Sequence, residues 1–299
     1  KNVSNVEVLE VTGTNDVTIA ADANVMNFDL SSTDVQKLTL STGVTGAVTV
    51  TVGNTGADDI VNSANVPLTI KGKADHIDDQ DLITGGTGTD TIEITPDTDS
   101  ATEASIAIAG GNITNVDKIL VVDAGDATTG STKLSGLDIE LTTGAYATAL
   151  TIDASALDAA NKDNNADGKI DSTDTSEEVL ILDGSSATAV LTVTGGAGTD
   201  TITTGTKNDV IDGGAGNDTI TSTGGNDNIK GGAGNDKFVF AAGLTKDDVV
   251  DGGDGTDTLS VTTLVAANLA GVTNVETLAF TGNTTLDKPA RTIDAENTN

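Results

Sequence analysis

Residues 195–239 decide the fold, and they read GGAGTDTIT, TGTKNDVID, GGAGNDTIT, STGGNDNIK and GGAGNDKFV in five consecutive segments of nine. The sixth position of every segment is aspartate and the eighth is apolar. A strict period without a gap is typical of a solenoid, in which each repeat packs against its neighbours. A flexible linker rich in Gly and Asn, the alternative interpretation, has no reason to keep both positions in register. We therefore expect an ordered structure.

The glycines and aspartates of these segments predict cation sites. Glycine permits positive φ and close backbone approach, so consecutive carbonyl oxygens can turn inward beside the aspartate carboxylate. Oxygen-only ligation at six or more positions suits a hard cation such as calcium, Ca2+. The candidate metal ligand positions in this block are Gly195, Gly196, Gly198, Asp200, Asp209, Gly213, Gly214, Gly216, Asp218, Gly225, Asp227, Gly231, Gly232, Gly234 and Asp236.

Isolated copies of the segment occur elsewhere in the chain. They begin at residue 53 (GNTGADDIV), residue 85 (GGTGTDTIE) and residue 252 (GGDGTDTLS). The nonapeptide motif therefore occurs along much of the chain, and we expect further calcium ligands in these copies. The candidates are Asp58, Gly85, Gly86, Asp90, Gly252, Gly253 and Asp257.

The nonapeptide block resembles the calcium-binding repeats of the RTX family of secreted bacterial proteins. This resemblance implies a parallel β-roll with two nonapeptides per coil, so that residues eighteen apart stack on one edge. Asp200, Asp218 and Asp236 would then share one edge, and Asp209 and Asp227 the other.

The two edges differ in their glycines. The copies on the first edge keep all three, whereas the second edge departs from the pattern with Thr204, Lys207, Ser222 and Thr223. We therefore expect two calcium sites on the first edge, one between Asp200 and Asp218 and one between Asp218 and Asp236, and a weaker site on the second.

Outside the block, short apolar runs recur about every ten residues, and several alternate with Thr. Residues 48–52 read VTVTV, a period of two that predicts a strand with one buried face. A looser repeat, Asn-Val-acid-x-apolar, appears in NVSNVEVLEV from residue 2, ITNVDKILVV from residue 113 and GVTNVETLAF from residue 271, and each copy leads into such a run. This spacing favours a solenoid over a β-sandwich.

Residues 153–178 interrupt the pattern. Residues 153–161 (DASALDAAN) could form a short helix with Asp153 or Ser155 as its N-cap. The following run resembles an EF-hand loop of the dockerin kind, in which Asp174 replaces the usual terminal Glu. The calcium ligands that this resemblance implies are Asp163, Asn165, Asp167, the Lys169 carbonyl, Asp171 and Asp174. A solvated acidic loop is the alternative.

These observations predict an all-β fold, a parallel β-roll or β-solenoid with calcium-binding nonapeptide turns and one short helical, EF-hand-like insertion. Residues 1–152 would form solenoid strand repeats, residues 153–178 the insertion, and residues 179–299 a second stretch of solenoid containing the block 195–239. Because residue 1 is Lys and no leader follows it, we expect a segment of a longer polypeptide.

Composition excludes several function classes. With 14 Lys and Arg against 46 Asp and Glu, the net charge of -32 opposes nucleic-acid binding. There is no apolar run long enough for transmembrane insertion, and the absence of Cys removes disulfides and thiol catalysis. The single histidine, His76, lies in KADHIDDQD and fits a polar residue of an acidic turn better than a metal ligand or catalytic base. Without HExxH or GxSxG motifs, we expect no enzyme.

The leading hypothesis is a structural calcium-binding module of a surface-layer (S-layer) protein, secreted to the cell surface of a bacterium. The RTX resemblance implies type I secretion of the unfolded chain and folding on calcium outside the cell. The partners would be copies of itself in a two-dimensional lattice and a cell-surface polysaccharide anchor bound through a region outside this segment. Two alternatives remain open: the calcium-stiffened stalk of an RTX adhesin, and the RTX secretion and folding domain of a secreted hydrolase.

Overall fold

The computed structural model describes residues 9–10, 16–19, 27–30, 37–53, 57–64, 66–73, 76–77, 81–95, 104–108, 113–122, 137–141, 149–157, 179–262 and 266–281. These residues form an all-β parallel solenoid, which confirms the predicted fold class. The EF-hand-like loop 163–174 lies outside the described residues and stays a prediction.

The solenoid contains short strands separated by tight turns. In chain order they begin with β1 (Leu9–Glu10), β2 (Asp16–Ile19), β3 (Asn27–Leu30), β4 (Lys37–Leu40), β5 (Val48–Val52), β6 (Asp59–Asn62), β7 (Leu68–Lys73), β8 (Leu82–Thr84), β9 (Thr91–Thr95), β10 (Ala104–Ile108), β11 (Ile113–Thr114), β12 (Lys118–Val121) and β13 (Leu137–Leu141). They continue with β14 (Ala149–Asp153), β15 (Leu180–Asp183), β16 (Val190–Thr194), β17 (Thr201–Thr204), β18 (Val210–Ala215), β19 (Thr219–Ser222), β20 (Asn228–Ala233), β21 (Lys237–Phe240), β22 (Val249–Asp254), β23 (Thr258–Val261), β24 (Val272–Thr273) and β25 (Thr277–Phe280). A 3-10 helix spans Ala266–Leu269.

The strands form three parallel sheets. Sheet 1 has twelve strands in the order β1-β3-β5-β7-β9-β12-β14-β16-β18-β20-β22-β24. Sheet 2 (β11-β8-β6-β4-β2) lies opposite its N-terminal part, and sheet 3 (β10-β13-β15-β17-β19-β21-β23-β25) follows its C-terminal part. Each coil thus places one strand in sheet 1 and returns through sheet 2 or sheet 3. The coil between β9 and β12 contributes to both, because β10 starts sheet 3 and β11 ends sheet 2.

Register follows the sequence period. Ile202 pairs with Ile220 in sheet 3 and Ile211 with Ile229 in sheet 1, which confirms that residues eighteen apart stack within the nonapeptide block. The next coil is longer, since Ile229 pairs with Val250, twenty-one residues on. Sheet 1 also pairs β14 with β16 across the undescribed residues 158–178. The three-part division of the chain stays a prediction.

The core lies between the sheets and consists of aliphatic side chains from alternate strand positions. In β5, Val48, Val50 and Val52 are buried, whereas Thr49 is half-buried and Thr51 exposed. Stacked coils bring like residues together, as in the column Ile202, Ile220, Phe238 and Leu259. Full burial of one such side chain contributes about 1.5–3 kcal/mol, so the aliphatic columns are the main source of stability.

The described part of the predicted helix over 153–161 is a turn. Strand β14 ends at Asp153, and the Leu157 amide then donates to the Ala154 carbonyl at 2.9 Å. The described residues contain no α-helix, and the remainder of this prediction falls on residues outside them. Nor does any described helix have the length and apolar character to cross a membrane.

The Asn-Val-acid repeat has a defined place in the fold. As predicted, its three copies precede strands, namely β1, β12 and β25. In two copies it also follows the last strand of a sheet, because β11 is the edge of sheet 2 and β24 the edge of sheet 1. The repeat therefore accompanies the points where sheets begin or end.

Candidate cation sites at the coil edges

The aspartates of the first predicted edge form a buried ladder. Each lies directly before a strand of sheet 3 and accepts a hydrogen bond from the backbone amide one coil earlier. Oδ1 of Asp218 accepts from the amide of Asp200 at 2.8 Å, and Oδ1 of Asp236 accepts from that of Asp218 at 2.9 Å. Asp257 continues the series by accepting from Asp236 at 2.7 Å, and Oε2 of Glu276 ends it by accepting from Asp257 at 2.8 Å. We call these five residues the first ladder.

A second ladder precedes the strands of sheet 1. Oδ1 of Asp227 accepts from the amide of Asp209 at 2.8 Å, and Oδ1 of Asp248 accepts from that of Asp227 at 2.7 Å. In the middle of the same sheet, before β9 and β12, Oδ2 of Asp117 accepts from the amide of Asp90 at 2.8 Å.

A third ladder precedes the strands of sheet 2. Oδ1 of Asp81 accepts from the amide of Asp58 at 2.8 Å. Asp58, a predicted calcium ligand, thus belongs to a ladder like the other two. Four ladder members escaped sequence reasoning: Asp81, Asp117, Asp248 and Glu276. Their shared signal is an acid directly before a strand and two residues before a core residue. None ends a Gly-Gly-x-Gly turn, so the motif did not mark them.

Protein donors satisfy the second carboxylate oxygen in part of the ladders. Oδ2 of Asp200 accepts from the Gly196 amide at 2.8 Å, and Oδ2 of Asp90 from the Gly86 amide at 2.7 Å. Two further members are satisfied in the same way: Oδ2 of Asp227 accepts from the Ser222 hydroxyl at 2.5 Å, and Oδ2 of Asp248 from the Thr245 amide at 2.7 Å. We call these four the closed carboxylates.

Oδ2 of Asp209 is also buried without a hydrogen-bond partner, but no Gly-Gly-x-Gly turn precedes that residue. Asp218, Asp236 and Asp257 each end such a turn, and we call these three the open carboxylates. They are at most 2% exposed, and their Oδ2 atoms accept no hydrogen bond. A buried carboxylate oxygen without a partner is costly, because water has been removed and nothing replaces it. A bound cation is the partner that such an oxygen lacks.

The turns before the open carboxylates bring carbonyl oxygens to the same place. A Cβ added to Gly213 would lie inside van der Waals contact with Oδ2 of Asp218 and 2.7 Å from the carbonyl oxygen of Gly231 in the next coil. The second glycine of each open turn has positive φ, as at Gly232 (118°). Carboxylate and carbonyl oxygens thus surround a small space beside each first glycine, and a side chain at that position would occupy it.

Burial also shifts the protonation of the ladders. Burial, with smaller contributions from Asp200, Asp236 and Asp212, raises the pKa of Asp218 to about 8. Burial likewise raises the pKa of Asp236 and Asp257. Without a cation, Asp218 therefore holds a proton near neutral pH, and a cation that needs its ionised form competes with that proton.

Asp209 is intermediate between the two kinds. Burial raises its pKa to about 6, while a hydrogen bond from the Leu191 amide to Oδ1 opposes the rise. Neither Oδ2 of Asp209 nor the Thr204 hydroxyl has a hydrogen-bond partner. Thr204 stands where the first edge has glycine. The second edge, where sequence predicts a weaker site, thus places hydroxyl side chains, Thr204 and Ser222, beside its aspartates.

The ligand set consists largely of backbone atoms. Among the residues that the structure describes, which include His76, no group of three or more His, Cys, Asp or Glu side chains could hold a metal ion. A cation at an open carboxylate would therefore depend on carbonyl oxygens for most of its ligands. Calcium accepts carbonyl and carboxylate oxygens together in flexible geometry.

The family model of the RTX calcium-binding nonapeptide repeat matches residues 194–229, 216–244 and 240–261, with four copies. The chain carries RTX calcium-binding repeats. Comparisons with curated proteins and with solved structures gave no match. RTX repeats bind calcium, so calcium is the cation of these turns, and this part of the chain is a calcium-binding structural module of a kind typical of secreted proteins.

The RTX repeats contain all three open carboxylates, Asp218, Asp236 and Asp257. The assignment of individual calcium ligands stays a prediction, and the geometry favours these three over Asp200, whose Oδ2 the Gly196 amide already satisfies. Asp58 and Asp90 lie in ladders outside the RTX repeats. The Asp90 carboxylate is closed.

Proposed function

We propose that this chain is a structural module of a secreted bacterial surface-layer protein, which folds on calcium outside the cell, assembles into a two-dimensional lattice and catalyses no reaction. The observation that carries the proposal is the extent of the solenoid. Sheet 1 runs from Leu9 to Thr273, whereas the RTX repeats occupy residues 194–261. A secretion domain needs the repeats alone, while a long regular body suits a building unit.

Calcium dependence would restrict folding to the outside of the cell. Each open carboxylate is costly to bury in its ionised form until calcium binds. Extracellular calcium modules have Kd on the order of 10⁻⁴ to 10⁻³ M, far above cytosolic calcium. The chain would stay unfolded during export and fold on arrival, as expected for secretion of an RTX protein.

The outer surface suits assembly through divalent cations. With a net charge of -32, copies of the chain repel one another at low ionic strength. Lysines pair with some outer acids across coils, for example Lys71 with Glu93 at 2.8 Å and Lys118 with Asp153 at 2.8 Å. Lys and Arg number only 14 against 46 acids, so most carboxylates need another counterion. Calcium between neighbouring copies would remove the repulsion that opposes a lattice.

The test is a calcium titration of the whole chain, followed by far-UV circular dichroism, sedimentation and electron microscopy. We expect β-structure to appear first and ordered two-dimensional arrays to follow at millimolar calcium. Magnesium at equal concentration is the control for ionic strength. Rod-like monomers at high calcium would overturn the lattice and favour an adhesin stalk, and failure of calcium to change the dichroism would overturn calcium-dependent folding as well.

A further inference from the structure

The coil that follows the RTX repeats contains an Asn-Val-acid segment, Asn274–Glu276. We propose that this segment replaces a nonapeptide turn and completes a further calcium site at Asp257, with the Asn274 carbonyl oxygen as a ligand. Asn274 and Glu276 lie beyond the residues 194–261 that match the RTX repeats. The inference does not depend on lattice assembly.

Strand register places Asn274 where the repeats have glycine. Asp251 pairs with Thr273, so Asn274 follows level with Gly252. One coil earlier, Lys230 pairs with Asp251, which puts Gly252 level with Gly231. Asn274 has a φ of 51°, in the left-handed region that asparagine tolerates better than most residues, whereas Gly231 and Gly252 at the same level do not have a positive φ.

The oxygens around Gly252 repeat the arrangement of the inner turns. A Cβ added to Gly252 would lie 2.5 Å from Oδ2 of Asp257 and well inside contact with the Asn274 carbonyl oxygen. At Gly231, the corresponding position meets Oδ2 of Asp236 and lies 2.5 Å from the Gly252 carbonyl oxygen. The Asn274 carbonyl thus takes the place of a glycine carbonyl.

Asp257 itself needs a ligand. It is 0% exposed, and its Oδ2 accepts no hydrogen bond. Its amide donates to Oε2 of Glu276 at 2.8 Å, which is the contact that an aspartate of the next coil makes elsewhere in the ladder. Glu276 therefore supplies the acid of the missing turn and Asn274 the carbonyl.

The second Asn-Val-acid segment, Asn115–Asp117, offers an internal control. Thr114 pairs with Thr84, Asn115 has a φ of 54°, and its carbonyl oxygen meets the position of a Cβ on Gly85. Asp117 accepts from the Asp90 amide as Glu276 does from Asp257.

The difference lies in the carboxylate. Oδ2 of Asp90 accepts from the Gly86 amide at 2.7 Å, and Oδ1 accepts from the Asn62 side chain at 3.2 Å and the Leu68 amide at 2.9 Å. With both oxygens satisfied, this site has no need of calcium. An Asn-Val-acid segment should therefore complete a calcium site at Asp257 and a turn satisfied by hydrogen bonds alone at Asp90.

The experiment compares calcium stoichiometry in Asn274→Val and Asn115→Val, measured by equilibrium dialysis on the whole chain. Valine is β-branched and does not adopt a positive φ without large strain, so the backbone carbonyl must move. We expect Asn274→Val to bind one calcium ion fewer, Asn115→Val to bind the wild-type number, and Asn274→Gly to bind the wild-type number because glycine keeps the conformation. Wild-type stoichiometry in Asn274→Val, or an equal loss in Asn115→Val, would overturn the proposal.

A second variant covers the case in which Asn274→Val does not fold, as judged by circular dichroism at saturating calcium. Glu276→Gln keeps an oxygen that can accept from the Asp257 amide but removes one negative charge beside the site. We expect calcium affinity at one site to fall by about ten-fold, because ligand and neighbour charge tune such affinities. Unchanged affinity at every site would overturn the proposal.

Discussion

The turns Gly85–Asp90 and Gly252–Asp257 have nearly the same sequence, GGTGTD and GGDGTD, and yet one is closed by its own backbone and the other is open to calcium. The coil beneath each turn makes the difference. A Cβ on Gly86 would come nearest to the Ala64 carbonyl and the Asn62 side chain, whereas one on Gly253 would come nearest to backbone atoms of Gly232. A glycine turn opens when another glycine turn lies beneath it.

The turn before Asp200 supports this rule. Although it belongs to the RTX block, the coil beneath it is not a repeat, and the second glycine, Gly196, packs against the Leu157 backbone and side chain. The Gly196 amide closes the Asp200 carboxylate as Gly86 does at Asp90. In the RTX block the first Gly-Gly-x-Gly turn is therefore closed, and the open carboxylates start with the second, at Asp218.

Calcium removal should give the largest effect and should separate the two regions. A site held at 100 times its Kd contributes about 2.7 kcal/mol, so three open carboxylates would contribute about 8 kcal/mol together. After chelation, we expect amide hydrogen exchange to accelerate most between Asp218 and Asp257 and least around Asp90. Uniform acceleration in both regions would contradict the distinction between open and closed turns.

The pH dependence should be next in size. The pKa of Asp218 in the folded chain is about 8, above the ordinary value of 3.8, so the calcium-free folded state holds more protons than the unfolded state between these values. Its free energy of unfolding should then fall as pH rises from about 4 to about 8, on the order of a few kcal/mol. Urea unfolding in chelator across this range measures it. Saturating calcium should abolish the slope, and a rise in calcium-free stability with pH would count against protonated open carboxylates.

A matched pair of substitutions sharpens the comparison. In Asp218→Asn, calcium loses a ligand, and we expect a loss of about 2–3 kcal/mol with calcium but no loss in chelator, where the variant lacks a costly buried charge. In Asp90→Asn, the Gly86 amide would face either an NH2 group, which cannot accept its hydrogen bond, or an uncharged amide oxygen, which accepts it more weakly than a carboxylate. The free energy of unfolding should therefore fall by about 1–3 kcal/mol with and without calcium. Urea unfolding with and without calcium measures both variants. Equal calcium dependence in the two variants would break the comparison.

The smallest expected effect is at Ser222, whose hydroxyl donates to Oδ2 of Asp227. Ser222→Ala removes this donor and leaves a buried oxygen unsatisfied, which should cost about 1–2 kcal/mol in chelator. Thermal unfolding in chelator measures the loss, and Thr221→Ala, at the half-buried neighbouring position, is the control. Equal stability of Ser222→Ala and Thr221→Ala would show that the hydroxyl does not satisfy Asp227.

Much of the site could be predicted where the period is regular. The resemblance to RTX repeats implies the eighteen-residue stacking of Asp200, Asp218 and Asp236, and the structure has it. Asp248 and Glu276 could not be found in this way, because their coils are longer and no glycine turn precedes them. Asp81 and Asp117 were missed for the same reason. A ladder requires only that an acid stand before a strand, which is too weak a pattern to recognise without the register.

The sequence by itself determined the all-β solenoid, the aliphatic core and the calcium chemistry, since period, glycine and aspartate are local properties of the chain. The coil length in the RTX block came from the resemblance to RTX repeats. Only the tertiary structure decided which carboxylates are open. Whether Oδ2 accepts a backbone amide or faces carbonyl oxygens depends on the coil beneath, as Leu157 beneath Gly196 and Gly214 beneath Gly232 illustrate. That neighbour is eighteen or more residues away in the chain, and nothing within one nonapeptide specifies it.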